Sequence, residues 1–236
     1  MEFHLLISGA LFIAMVMTIS GVGLTMRIKE NRKVVALSPI ILGCVTFLVS
    51  FYLFFLMHIR FNWLIYGNWK PSWLSILLGV SCGIVIVPLA FWIEAWLTQL
   101  WYKKHISKNL TFLYMPVIGR SEAMDSVAQL AHQRFIFLWL SGVSSFGEEF
   151  FYRGVFLLGG MHAVHQSVIT ILLVQAVFYG INHIAFGVPA IIGKTILGLM
   201  LGVVAIIGGA FASFLLHLGY QYLVAKQFME SVGEYR

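Results

Sequence analysis

Runs of about 20 apolar residues recur along the chain, the length at which an α-helix crosses a ~30 Å hydrocarbon core. They fall at roughly Leu5–Met26, Val34–Ile59, Trp73–Leu100, Phe135–Leu158, Val168–Phe186, Thr195–Ile207 and Ala210–Ala225. The pattern predicts an all-α fold, a polytopic transmembrane helical bundle of about seven spans. The sixth run is short, and only Gly208-Gly209 divides it from the seventh. These two predict a tight hairpin whose arms need not cross fully. The one long connection, Lys103 to Gln133, carries an amphipathic stretch over Ser121–Arg134. It predicts a short helix lying on the inner membrane surface, with Ser121, Glu122 and Asp125 favouring its start.

Composition agrees with this pattern. Hydrophobic residues make up 60% of the 236 positions and charged residues 10%, against about 25% charged in soluble domains. No polar linker divides the chain, so a single integral membrane domain, 1–236, is expected. Cys44 and Cys82 both lie in apolar runs and read as small core residues rather than a disulfide framework. The first run has no basic flank before it and no Ala-x-Ala site after it, unlike a signal peptide.

The charge distribution sets an expected orientation. With the N-terminus outside, twelve of the 15 Lys and Arg residues fall in inner segments, from Arg27 and Lys29 through Lys103 and Lys194 to Arg236. Only Arg60 and Lys70 fall outside. This positive-inside bias puts the C-terminus in the cytoplasm. It accounts for the net charge of +6 without nucleic-acid binding. Trp63, Tyr66, Trp69 and Trp73 form an aromatic belt at the outer edge, and Trp96, Trp101 and Tyr102 one at the inner edge. The sequon Asn109-Leu-Thr111 lies on the side where glycosylation does not occur.

The charged residues inside the apolar runs carry the candidate chemistry. Glu148, Glu149 and Arg153 lie within six positions of one another, and an ionised group at mid-bilayer costs at least ~2.5–3.5 kcal/mol. Glu149 and Arg153 are four apart, share a helix face and are expected to pair. Glu148 points about 100° away, has no cation on its face, and is the freer carboxylate, placed to take and return a proton. Tyr179-Gly-Ile-Asn-His183 sits on the fifth run, where Gly180 allows close approach of another helix. His217 and Gln221, four apart on the last run, are candidate donors to a developing negative charge. One glutamate and two histidines on three spans have the makings of a water-activating site for hydrolysis inside the membrane.

These motifs resemble the CPBP family, the CAAX proteases and bacteriocin-processing enzymes also called Abi, which are glutamic intramembrane proteases. Glu148-Glu149-Phe-Phe-Tyr-Arg153 matches the family's Glu-Glu-x-x-x-Arg, and Tyr179-x-x-x-His183 its aromatic-x-x-x-His, with Tyr where Phe is commoner. The stretch from Gly198 and Gly202 through Gly208-Gly209 to His217 is similar to its glycine-rich approach to the last histidine. The resemblance covers about 135–225. It implies that Glu148 activates water with His183, and that Glu149 and Arg153 support that carboxylate. It also implies an oxyanion hole at His217 and the residue four later, where the family has Asn and this chain has Gln221. No cofactor and no metal are implied. The implied partner is a peptide or protein substrate at the lipid bilayer: a prenylated tail, a pheromone precursor, a leader peptide or a sorting-signal remnant. The expected location is a prokaryotic plasma membrane, as a multi-pass protein.

Two rivals stay open on the residues alone. Glutamate and histidines could be zinc ligands, although no His-Glu-x-x-His supports this. The polar cluster could also serve structure in a non-catalytic scaffold or immunity protein. Depth is a further test. At ~1.5 Å per residue, Glu148 lies about 20 Å in from Phe135, and His183 about 22 Å in from Val168 on an oppositely running helix, so His183 is expected nearer the cytoplasm. Glu94, toward the inner end of the third run, is expected to reach the interface or meet Arg153. Pro88 predicts a kink in that run. His162 and His165 read as solvated residues of an outer turn.

Overall fold

Apolar stretches that must satisfy their own backbone groups form helices, and every regular element described is helical. The computed structural model describes residues 2–27, 32–66, 73–105, 134–184 and 187–233. The elements are α1 (Glu2–Arg27), α2 (Arg32–Leu56), α3 (Phe61–Tyr66), α4 (Trp73–His105) and α5 (Arg134–Glu149). A π-helix, π1 (Phe150–Gly159), continues α5 and runs into α6 (Gly160–His162); α7 (Val168–Ile181) and α8 (Val188–Gly233) complete the chain. The predicted amphipathic helix over 121–133, the sequon at 109–111 and Trp69 lie outside the described residues.

π1 is the centre of the bundle. Nine of its ten residues, Phe151 through Gly159, are buried, Arg153 among them. It packs against α2, α3, α7 and α8, with Phe47 and Phe54 of α2 against the Phe150 ring. Small residues set the closest crossings. A Cβ on Gly147 of α5 would come within 2.6 Å of the Gly43 carbonyl of α2, and one on Gly180 within 2.6 Å of the Ile191 carbonyl. The expected close approach at Gly180 is therefore made by α8.

α8 is a hairpin in spite of its unbroken helical span. Gly209 has φ +83° and ψ 169°, a backbone state that residues with a side chain rarely adopt. Lys194 Nζ lies 4.0 Å from the centroid of the Tyr220 ring, whereas 26 residues of straight helix would separate the two by about 39 Å. The arms 188–208 and 210–233 thus fold back on each other at Gly208-Gly209, where the sequence predicts the turn. The first arm starts at Val188 rather than Thr195, so both are longer than expected and each exceeds ~30 Å at 1.5 Å per residue. The turn is capped by α3, a helix absent from the sequence reading: a Cβ on Gly209 would fall on the Ile65 carbonyl, and Gly208 abuts Ser75 and Gly79 of α4.

The exterior is apolar. Trp73–Trp101 and Val188–Lys226 are long and apolar enough to cross a membrane by length and composition, and Phe3–Val16, Gly43–Leu56 and Val168–Ile181 are shorter apolar helices. Only 28% of the Trp73–Trp101 window is buried inside the protein. Leu77, Ile84, Val85 and Trp92 lie open on α4, an arrangement that needs an apolar surrounding. Cys44 and Cys82 are free and exposed, not core residues as expected, because an apolar outer face accepts small apolar residues as readily as the interior does. Trp73, Trp96 and Trp101 are exposed too, in keeping with aromatic belts. Pro88 lies inside α4.

Gly209→Ala is expected to lower stability by more than ~1 kcal/mol, since Ala at a positive φ is strained and the Ile65 carbonyl leaves no room. Gly219→Ala, where a Cβ meets nothing within 4 Å, is expected to leave stability unchanged or raise it. Thermal melting of both variants in detergent checks the contrast.

Candidate active site

Glu149, the last residue of α5, is almost completely buried and holds three partners. Arg153 Nη1 lies 3.1 Å from its Oε1, as the i,i+4 spacing predicts. His217 Nδ1 lies 2.8 Å from the same oxygen, and Ser213 Oγ donates to Oε2 at 2.6 Å. Ser213 and His217 are one turn apart on the second arm of α8, so one carboxylate ties that arm to α5. The sequence reading missed Ser213, although its place four residues before His217 puts it on the same face. None of the three Arg153 guanidinium nitrogens makes a hydrogen bond among the described residues. The guanidinium instead lies over the Tyr179 ring, 4.2 Å from Cζ to the centroid, so it is held by charge and by the ring face.

Glu148, beside it, is also buried but differently placed. Its carboxylate accepts one hydrogen bond, from Ser144 Oγ at 3.2 Å. It has no ion pair among the described residues, as expected from its face of the helix.

His183 is not on a helix as predicted. α7 ends at Ile181, and the His183 amide turns back to the Gly180 carbonyl at 2.9 Å, so the residue sits in the first turn beyond it. Its Nδ1 lies 3.0 Å from the Tyr179 carbonyl; Nδ1 is thus the donor, and the basic nitrogen of the neutral ring is Nε2. The expected depth mismatch with Glu148 is removed by helix register. Tyr152 meets Tyr179 at 5.3 Å between ring centroids, and Gly160, eight residues on, abuts Ile171, eight residues back. In the same antiparallel register, four residues in the other direction bring His183 level with Glu148.

His217 is central to the far side of the site. With Nδ1–H donated to Glu149, its Nε2 lies 3.3 Å from the Tyr179 hydroxyl and 3.2 Å from Gln221 Nε2. His217 and Gln221 therefore adjoin, as their spacing predicts.

Three expectations are corrected. Lys194, counted with the inner loops, is part of α8 and buried; its Nζ lies 3.3 Å from Glu94 Oε2. Glu94 meets Lys194 and accepts from the Tyr220 hydroxyl instead of reaching Arg153. The reason is the longer first arm of α8, which carries Lys194 alongside α4, where Gly193 makes room for the Glu94 side chain. His162 is partly buried, stacked on Trp63 at 4.7 Å, rather than solvated; His165 is exposed. No three His, Cys, Asp or Glu side chains among the described residues converge as a metal ion requires.

These buried glutamates and histidines are enclosed by helices, and residues 130–223 match the family model described as Rce1-like, type II CAAX prenyl endopeptidase. That segment is thus a domain of the CPBP, or Abi, family. The match includes Glu148, Glu149, Arg153, His183, His217 and Gln221, and leaves out α1 to α4 with Glu94. No curated protein and no solved structure matches the chain.

Removing one partner of a buried ion pair costs roughly 3–5 kcal/mol. Arg153→Ala is therefore expected to lower folded yield and melting temperature sharply. Ser213→Ala, which removes one hydrogen bond to a charged group, is expected to cost ~1.5–3 kcal/mol. Unchanged melting of both variants would show that the clasp on Glu149 is not what holds α5 to α8.

Proposed function

We propose that the chain is a membrane-embedded endopeptidase, hydrolysing a peptide or protein tail with a water activated by Glu148 and His183. The observation that carries this reading is the unequal treatment of two neighbouring glutamates. Glu149 is held by Arg153, His217 and Ser213, while Glu148, equally withdrawn from water, has one hydrogen bond from Ser144. Burying a carboxylate without a cation is costly. A group that must exchange a proton explains why that cost is tolerated.

In this mechanism Glu148 takes a proton from water as the water oxygen adds to the scissile carbonyl carbon, and passes it to the leaving amine. His183, with Nδ1–H on the Tyr179 carbonyl, orients the water through Nε2. Glu149 and Arg153 fix the end of α5 that carries Glu148. His217 and Gln221 form the proposed oxyanion hole, in which Gln221 supplies an amide donor. Gln is one methylene longer than Asn and carries the same donor group.

The family supports a prenylated Cys-aliphatic-aliphatic-X tail as substrate class; a pheromone precursor, a leader peptide and a sorting-signal remnant suit the same chemistry. The uncovered apolar face of α4 supports a membrane location, which we take to be multi-pass and in a plasma membrane of prokaryotic type. The charge bias supports an outer N-terminus and a cytoplasmic C-terminus. A non-catalytic scaffold is the second reading, favoured by the clasp on Glu149, which would pin helices whether or not catalysis occurs. The zinc reading predicts inactivation by chelators, which the glutamate mechanism does not.

Glu148→Gln keeps size and hydrogen bonding but removes the base. It is expected to abolish cleavage by purified protein in lipid while melting as the wild type does. Full turnover by folded Glu148→Gln would overturn the glutamate mechanism, and a scaffold would keep its biological activity through that change. A reporter fused after Arg236 is expected to read as cytoplasmic; an outer signal would overturn the proposed orientation.

A further inference from the structure

Two hydrogen-bonding groups converge on one nitrogen at the edge of this site. The Tyr179 hydroxyl lies 3.3 Å from His217 Nε2, and Gln221 Nε2 lies 3.2 Å from the same atom. Nδ1 of that ring already faces Glu149 at 2.8 Å and carries a proton. The neutral ring therefore offers one in-plane lone pair at Nε2, enough for one of the two donors. If Gln221 takes it, the Tyr179 hydroxyl hydrogen is released. If the ring becomes protonated, Nε2–H donates to the Tyr179 oxygen, and the hydroxyl hydrogen is again released. In both states a phenolic donor can be made available beside His217.

The ring that carries this hydroxyl is fixed. Tyr179 is fully buried, with the Arg153 guanidinium over its face. Tyr152, His183 and His217 meet it at steep interplanar angles. Only the hydroxyl torsion stays adjustable. A phenylalanine would make the same ring contacts, so the hydroxyl is not needed for packing.

We infer that the Tyr179 hydroxyl is an oxyanion donor of this site, acting beside Gln221, with its phenolic oxygen held by Nε2–H when His217 is protonated. The inference rests on the endopeptidase reading and adds a catalytic group to it. As the water oxygen bonds to the carbonyl carbon, the water proton passes to Glu148 and the carbonyl π pair moves onto oxygen. Tyr179 stabilises that charge through its hydrogen bond and keeps its own proton. A neutral O–H donor facing an oxyanion in dry surroundings makes a short, strong hydrogen bond, and it favours the tetrahedral state over the uncharged substrate.

The test compares wild type, Tyr179→Phe and Glu148→Gln in lipid. The substrate is an S-farnesylated Cys-aliphatic-aliphatic-X peptide, and the transition-state analogue is its phosphinic counterpart. Tyr179→Phe is expected to lower kcat about 10²–10³-fold, the usual effect of one oxyanion donor, with KM and melting temperature close to wild type. Affinity for the phosphinic peptide, whose anionic oxygen imitates the oxyanion, is expected to fall with kcat. Wild-type kcat in Tyr179→Phe beside an inactive Glu148→Gln would overturn the inference and leave the protease reading standing. A lower kcat with unchanged phosphinic affinity would reduce Tyr179 to a structural role. Full activity of Glu148→Gln would overturn the reading on which the inference rests.

Discussion

Apolar helix faces attract one another with little discrimination, and in this bundle the Glu149 carboxylate supplies what they lack. Arg153 from its own chain segment, and Ser213 and His217 from the second arm of α8, all meet it. A buried carboxylate with those partners is stable only at one position and one rotation of both helices. Its neighbour Glu148 is thereby fixed without being neutralised. His217 is also fixed, with Nδ1 on the carboxylate and Nε2 turned toward Tyr179 and Gln221. Structure and proposed chemistry thus share one constraint.

The hairpin in α8 makes that constraint reachable. If 188–233 ran straight, His217 would lie far from the level of Gly198 and Gly202. Folding at Gly209 returns the chain along itself, and Lys194 and Tyr220 become neighbours around Glu94. This second polar cluster joins α4 to both arms. It lies outside the family-matched segment on the α4 side, so the third apolar run contributes to holding the site even though it carries no family motif.

The wide turns of π1 are the least expected feature. Such helices are rare and cluster at functional sites. Here π1 follows directly on the two glutamates and includes Arg153, whose guanidinium faces the Tyr179 ring. The i,i+4 pair with Glu149 survives the change of helix type. The apolar run Phe150–Leu158 gives no sign of it, because residues buried on all sides show no periodicity from which a turn size can be read.

Local and periodic features were legible in the chain itself. Run lengths gave the long helices but not the short α3, Gly208-Gly209 gave the α8 turn and Gly180 the close approach, and i,i+4 spacing gave the Glu149–Arg153 and His217–Gln221 neighbours. That Glu148 makes no ion pair among the described residues followed from the same helical geometry. Packing alone decided the rest. That Glu149 binds His217 and Ser213, more than sixty residues away, depends on which apolar faces meet. The agreement in depth of His183 and Glu148 depends on the antiparallel register of α7 against π1. The burial of Lys194 against Glu94 depends on where the first arm of α8 begins. Apolar side chains carry little information about rotation or level, so those choices rest on small-residue crossings and a few buried polar contacts that only the folded chain brings together.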